Sequence, residues 1–417
     1  MSLEESRGLV GFRDVLEREP GLFTLAVLTL GVNLSVGVLA RYVPAYLRAF
    51  GVGPILVGVV WSGWLLARAA LPYVGHEALA DLHPRALLAG FGTLAMLGLF
   101  VWLAAPHAES FDPWLWVLAG GVVLETWRSH GPGVTFTVEG RNLSTDRFAR
   151  SLATTRTFRR VGVLLGLSLL VVLFAMVGEF RPGFQLVVAV VACVGAAATV
   201  GRIVLGETDL EVPLRSPPSS ERVRSDLTEL ATQRRSLLLG DTLFRFARGM
   251  FYPFLILVVA DRAVPAQVAG FSLSPIAIFT VALVAETLLA LVASMPATRL
   301  ADELGSLPVA IGGVLVVAFV PLGLASVPPT LLGISVLFAC FGLGVATRPV
   351  RRSLVARATR EVGRDAAELY RLVRRLLVVP SAIVGGLLYA NSPTMALGLA
   401  TSVALLGCWE LLRHSTQ

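Results

Sequence analysis

The stretch Glu77-Ala78-Leu79-Ala80-Asp81-Leu82-His83-Pro84-Arg85 contains Leu79-Ala80-Asp81, and Leu300-Ala301-Asp302 repeats it 221 positions later inside Thr298-Arg299-Leu300-Ala301-Asp302-Glu303-Leu304-Gly305. A second pair has nearly the same offset. Arg156-Thr157-Phe158-Arg159-Arg160 is answered by Arg371-Leu372-Val373-Arg374-Arg375, 215 positions on. Near-equal offsets at matching places indicate a duplicated unit. Each copy sits beside an apolar run, so the nature of those runs decides the architecture.

Working outward, apolar runs recur as Gly21–Leu47, Ile55–Val74, Ala86–Ala104, Trp114–Val138, Val161–Met176 and Phe184–Val204. Six more follow as Leu237–Val259, Phe271–Ala293, Leu307–Leu324, Leu331–Ala346, Leu376–Tyr389 and Met395–Leu412. Twelve helices of ~20 residues fit comfortably into 417 residues. Of these residues 55% are hydrophobic and only 15% charged, with a mean hydropathy of +0.75. A soluble domain carries roughly 25% charged residues, so this chain cannot cover its apolar surface with polar groups. An all-α integral membrane protein of twelve transmembrane helices in two six-helix repeat halves is expected. Soluble enzymes, secreted disulfide scaffolds and disordered tails are excluded. The first apolar run is too long for a signal-peptide core and lacks a small-residue cleavage site, so it reads as a retained span.

Lysine is absent, and all 35 basic residues are arginine. No P-loop lysine and no Schiff-base lysine are therefore available. With the N-terminus inside, the predicted cytoplasmic segments hold 27 arginines and the outer loops only Arg48, Arg181 and Arg262. That asymmetry places both termini in the cytoplasm of a cytoplasmic-membrane protein. It also accounts for the net charge of +7, leaving nucleic acid no part. The expected organisation is a cytoplasmic segment 1–20, a first half 21–205, a cytoplasmic linker 206–236 and a second half 237–417. Ser216-Pro217-Pro218-Ser219-Ser220 marks the linker as a polar break. Cys193, Cys340 and Cys408 fall in separate apolar runs and read as buried thiols. Neither cysteine nor histidine spacing suggests a metal, and no cofactor is expected.

The stretch Glu77–Arg85 resembles the loop between spans two and three of the major facilitator superfamily, a Gly-x-Leu-Ala-Asp-Arg-x-Gly-Arg type turn. Asp81 and Arg85 match it, and Asp302 and Gly305 match its second copy. Arg128, Gly131 and Gly133 match an Arg-x-x-x-Gly-x-Gly signature of span four. The chain is thus similar to prokaryotic members over nearly its whole length. The resemblance implies a carrier built from parallel six-span repeats with a cavity at their interface, and it makes Asp81, Arg85 and Asp302 a conformational gate. One signature departs. In span five Leu167 stands where antiporters carry proline, and Leu169-Leu170 where they carry a glycine pair, while Gly385-Gly386 in span eleven resembles that pair in part.

An ionisable group in hydrocarbon costs at least ~2.5–3.5 kcal/mol on insertion scales, so each one marks a candidate site. Glu125 and Arg128 lie three apart on one face of span four. Asp241 and Arg245 form an i,i+4 pair near the inner end of span seven, read as a structural pair at the entrance before a coupling or substrate site. Glu286 is deep in span eight with no basic residue within a turn, so desolvation should keep it protonated, either as a proton carrier or as a cavity-facing hydrogen-bond donor. These five residues are the candidates for proton coupling or substrate contact. Arg41 is expected to snorkel to the outer interface, and Arg68 to pair with an acid of another span.

The reading is a monomeric, non-enzymatic secondary transporter of a small molecule, lodged in the lipid bilayer, proton-coupled, and exporting an amphipathic compound. An uncoupled facilitator or importer and a transporter-like membrane sensor stand as alternatives. The topology has a direct check. A Ser219→Cys variant should stay unlabelled by an impermeant thiol reagent in intact cells; ready labelling from outside would overturn the orientation.

Overall fold

The computed structural model describes residues 36–73, 84–107, 111–142, 145–205, 235–268, 270–362 and 364–415. Apart from one short hairpin these residues form helices and the turns between them. Among the described residues, nine helices are long and apolar enough to cross a membrane. Their outer surfaces are apolar. Leu165, Leu169, Val172 and Met176 are 68%, 69%, 54% and 74% exposed and follow helical spacing along one face of Thr145–Val177. A stripe of that kind needs hydrocarbon as its solvent. Cys193 lies on such an exposed surface, contrary to expectation, and of the three thiols Cys408 alone is fully buried. Facing lipid is as favourable for a weakly polar thiol as facing a core.

Helix boundaries depart from the apolar runs where local chemistry overrides hydropathy. Span eight does not begin at Phe271. Phe271–Leu273 pairs antiparallel with Ala266–Val268 in a hairpin, and the helix Pro275–Leu304 starts on an N-cap in which Ser274 accepts from the Ala277 amide. That helix runs through the repeated Leu300-Ala301-Asp302 and ends at Gly305, whose φ of 93° favours glycine.

Three spans are interrupted. Span seven breaks between Arg235–Phe251 and Leu255–Arg262 at a single 3₁₀ turn, Tyr252-Pro253-Phe254. Span ten resumes after Thr347 as Arg348–Val362, and span eleven is Arg364–Val378 followed by Ser381–Asn391 across Pro380. Proline supplies no amide donor and forces the turn. Several arginines assigned to loops by hydropathy, among them Arg351 and Arg374, consequently sit on helices that enter the membrane-length segments. The linker 206–236 lies outside the described residues up to Arg235, where the span-seven helix begins.

The chain groups into two compact units. The first draws on Met1–Ala40, Ala70–Gly166 and Phe184–Ser216. Within it, Pro84–Ala104 and Pro113–Asn142 are pressed together at Gly98 and Gly120, where either Cβ would strike the other's carbonyl. Trp102 closes the joint by donating its indole N–H to the Val117 carbonyl at 2.9 Å. The second unit holds Arg41–Ala69, Leu167–Gly183 and Pro217–Gln417. Here the span-two helix Pro54–Ala70 lies along span eleven: Ser62 Oγ donates to the Val379 carbonyl at 2.7 Å, and Arg375 to the Arg68 carbonyl at 3.1 Å. Gly385 faces the Met250 carbonyl and Gly386 faces that of Pro54. The glycine pair in span eleven thus serves helix contact on two sides.

Overpacking a joint of this kind costs about 1–3 kcal/mol. Gly385→Ala should therefore melt well below wild type, whereas Gly398→Ala, whose Cβ would meet open space, should stay within about 0.5 kcal/mol. Thermal unfolding of the purified proteins checks this, and equal melting of the two variants would remove the packing role.

Candidate functional site

Span one reaches the second unit through Arg41 and Tyr42, in the turn preceding the helix Val43–Arg48. Arg41 Nη1 donates to Glu286 Oε2 at 2.8 Å and Nη2 to Oε1 at 3.2 Å. The Glu286 side chain is 3% exposed and that of Arg41 24%. Arg41 therefore does not snorkel, and Glu286 is not unpartnered. Its partner lies 245 positions away, beyond the reach of any pattern on its own helix. Next to it, Tyr42 Oη donates to Thr280 Oγ1 at 2.9 Å, and Thr280 donates to the Ile276 carbonyl at 2.8 Å. A neutral hydrogen bond contributes about 0.5–1.5 kcal/mol, whereas removing one partner of a buried pair costs about 3–5 kcal/mol. The ion pair dominates the joint, and Gly342 lets span ten close on the Glu286 backbone.

Aromatic rings continue the site. The Tyr252 ring, in the break of span seven, lies under two guanidiniums, Arg248 at 4.6 Å and Arg41 at 5.6 Å. Arg248 is also 5.5 Å from the Phe341 ring, and Trp61 stands 6.2 Å from Tyr252. Such contacts stabilise a cation in partly dry surroundings without consuming its N–H donors.

Asp241 and Arg245 form the i,i+4 pair expected from their spacing, at 2.9 Å. The carboxylate is fully buried and holds far more than that one cation. Arg374 donates to Oδ2 at 3.0 Å, Tyr370 Oη to the same oxygen at 3.1 Å, and Arg351 Nε stands 3.7 Å from Oδ1. Arg351 further lies 4.2 Å over the Phe244 ring. One acid thus ties spans seven, ten and eleven together. The apolar group Leu238, Val355, Ala366 and Tyr370 packs on those same helices. At the predicted outer end, Arg48 pairs with Asp261, which also accepts from Tyr389 at 3.1 Å.

In the first unit Glu125 is buried and accepts from Arg128 at 2.8 Å, as their spacing predicts. Of the gate residues, Asp81 and the Arg85 side chain lie outside the described residues, and Asp302 is exposed on the last turn of Pro275–Leu304. Among the described residues no cluster of three or more metal-binding side chains occurs. The cluster of Arg248, Tyr252 and Phe341 was not among the sequence candidates. The signal was an arginine set beside an aromatic-proline turn in the middle of an apolar run.

No family model matches the chain, and no curated relative matches it. Solved structures do. A nucleoside transporter, NupG, superposes with a TM-score of 0.72 at 10% identity, covering 94% of this chain and 99% of its own. A peptide transporter, POT, in complex with alafosfalin superposes at 0.70 and 16% identity, covering 95% and 94%. Both have the major facilitator fold, and this chain shares it.

The Asp241 hub yields a stability prediction. Asp241→Asn strands three guanidiniums and should cost about 3–5 kcal/mol. Glu368→Gln, which breaks a more exposed pair with Arg371, should cost at most about 1 kcal/mol. Melting of the two purified variants decides between a keystone and an ordinary surface pair.

Proposed function

We propose that this chain is a secondary transporter that moves a small solute by alternating access and couples it to protons through the Glu286–Arg41 pair. The carrying observation is that pair: a buried carboxylate in span eight held bidentately by a cation from span one. Supporting it are the shared fold and neighbours that carry nucleosides and peptides. The two repeat halves, 21–205 and 237–417, are the bodies that would alternate, and the pair ties span one to span eight.

Protonating Glu286 removes the negative charge that holds Arg41. Spans one and eight are then tied by neutral contacts such as Tyr42–Thr280, which contributes about 0.5–1.5 kcal/mol. Deprotonation re-forms the clamp. Proton occupancy and the closure of this joint are thereby linked, as coupling requires. Arg48–Asp261 acts as a latch on the outer side, and Asp81, Arg85 and Asp302 gate the inner side. Glu125 orients Arg128, and the Asp241 hub holds spans seven, ten and eleven as one body.

Glu286→Gln mimics the protonated state and cannot titrate. In proteoliposomes with an imposed pH gradient, a panel containing a nucleoside, a dipeptide and benzoate should reveal a solute that wild type accumulates. The variant should still bind that solute but fail to accumulate it. Full gradient-driven accumulation by Glu286→Gln would remove the coupling role and favour an uncoupled facilitator.

A further inference from the structure

The charge around Tyr252 does not balance. Arg41 and Arg248 lie over its ring, Arg348 is an electrostatic neighbour of both Arg248 and Tyr252, and each oxygen of Glu286 accepts from Arg41. Among the described residues neither Arg248 nor Arg348 makes a salt bridge or a hydrogen bond to an acid. Arg348 lies in the field of Arg248, Arg352 and Arg351, and Arg248 in that of Tyr252, Glu286, Arg41 and Arg245, so the shared carboxylate is outnumbered by cations. Both are half-buried. Arg248 sits near the midpoint of the 28-residue segment Arg235–Arg262, at the depth where carriers of this architecture place their substrates.

Three cations sharing one carboxylate beside a membrane-length segment are costly unless a mobile anion offsets them. Guanidinium is suited to that task. Its planar fork matches the two oxygens of a carboxylate or phosphate, and its positive charge persists at any physiological pH. Stacking on Tyr252 and Phe341 supports Arg248 while leaving its N–H donors available. The Tyr252 and Phe341 rings stack on each other at 6.2 Å and 28°, with Trp61 beside Tyr252. They form an apolar, π-rich wall next to the cations.

We infer that Arg248 and Arg348 are the anion-binding pair of the substrate site, and that the solute is a small organic anion whose apolar body rests on Tyr252, Phe341 and Trp61. The anionic group is a carboxylate or a phosphate. This rests on the transporter reading but is tested by binding alone. Coupling also follows, because protonated Glu286 would free Arg41 as a third cation for the incoming anion.

The test uses the purified full-length chain and reads thermal stabilisation and equilibrium binding. The probes are benzoate, hexanoate, phenyl phosphate and inorganic phosphate, with neutral benzamide and cationic benzylamine for comparison. Benzoate, hexanoate or phenyl phosphate should stabilise the protein, and benzamide and benzylamine should not. The preferred member of the anionic set identifies carboxylate or phosphate as the recognised group, and inorganic phosphate alone should bind more weakly for want of an apolar body. Arg248→Gln and Arg348→Gln should each weaken binding about tenfold or more, the worth of a charged hydrogen bond. Arg248→Lys keeps the charge without the fork and should fall between wild type and Arg248→Gln, which preserves the test should a Gln variant fold poorly. Equal stabilisation by benzamide, no binding by any of the anions, or unchanged anion affinity in the arginine variants would overturn the inference. Anion binding without gradient-driven uptake would uphold this site and remove the carrier reading. Proton-driven uptake of an uncharged nucleoside, with no anion bound, would do the reverse.

Discussion

A carboxylate that cannot reach water must find a cation, and in this chain Glu286 finds Arg41 from the far end of the sequence. Much of the second unit is arranged around that constraint. The turn at residues 40–42 delivers Arg41 to the interior, Tyr42 locks onto Thr280, and Gly342 removes the side chain that would otherwise push span ten away from Glu286. Tyr42 also packs edge-on against Phe279, which in turn meets Phe338 in the same manner. Polar and aromatic contacts thus cooperate at one joint. Either partner left alone would strand a charge in a medium that does not solvate it.

Arginine is the chain's only long cation, and it serves several physical purposes here. In loops its uneven distribution is the basis for the expected orientation. Around Asp241 it becomes a structural clamp, with three guanidiniums sharing one acid and Tyr370 donating to Oδ2, while Oδ1 faces Arg351 at 3.7 Å. Beside Tyr252 it stands on aromatic faces without an acid of its own among the described residues. The Asp241 cations share a buried acid, whereas Arg248 rests on rings.

Interrupted helices and close glycine contacts make the arrangement feasible. The 3₁₀ turn at Tyr252–Phe254 turns a ring and two flanking helices toward the same region. Gly385 and Gly386 let span eleven approach span seven and span two at backbone distance. In hydrocarbon there is little hydrophobic drive between helices, so such close packing supplies much of their attraction.

The amino-acid sequence by itself determined the all-helical membrane architecture, because length, hydropathy and arginine asymmetry are summed along the chain. It also determined the pairs Glu125–Arg128 and Asp241–Arg245, since residues three or four apart on a helix must be neighbours. Helix ends were less legible. Ser274, Pro380 and Gly305 act through single hydrogen bonds and dihedral angles that a hydropathy run averages away. The partners of Glu286, the further arginines on Asp241 and the rings beneath Arg248 were decided only by tertiary structure. Each joins residues separated by more sequence than helical periodicity can relate, or depends on a break in a helix. Electrostatic and packing forces act across space, and nothing in the linear order of the chain states which helices will meet.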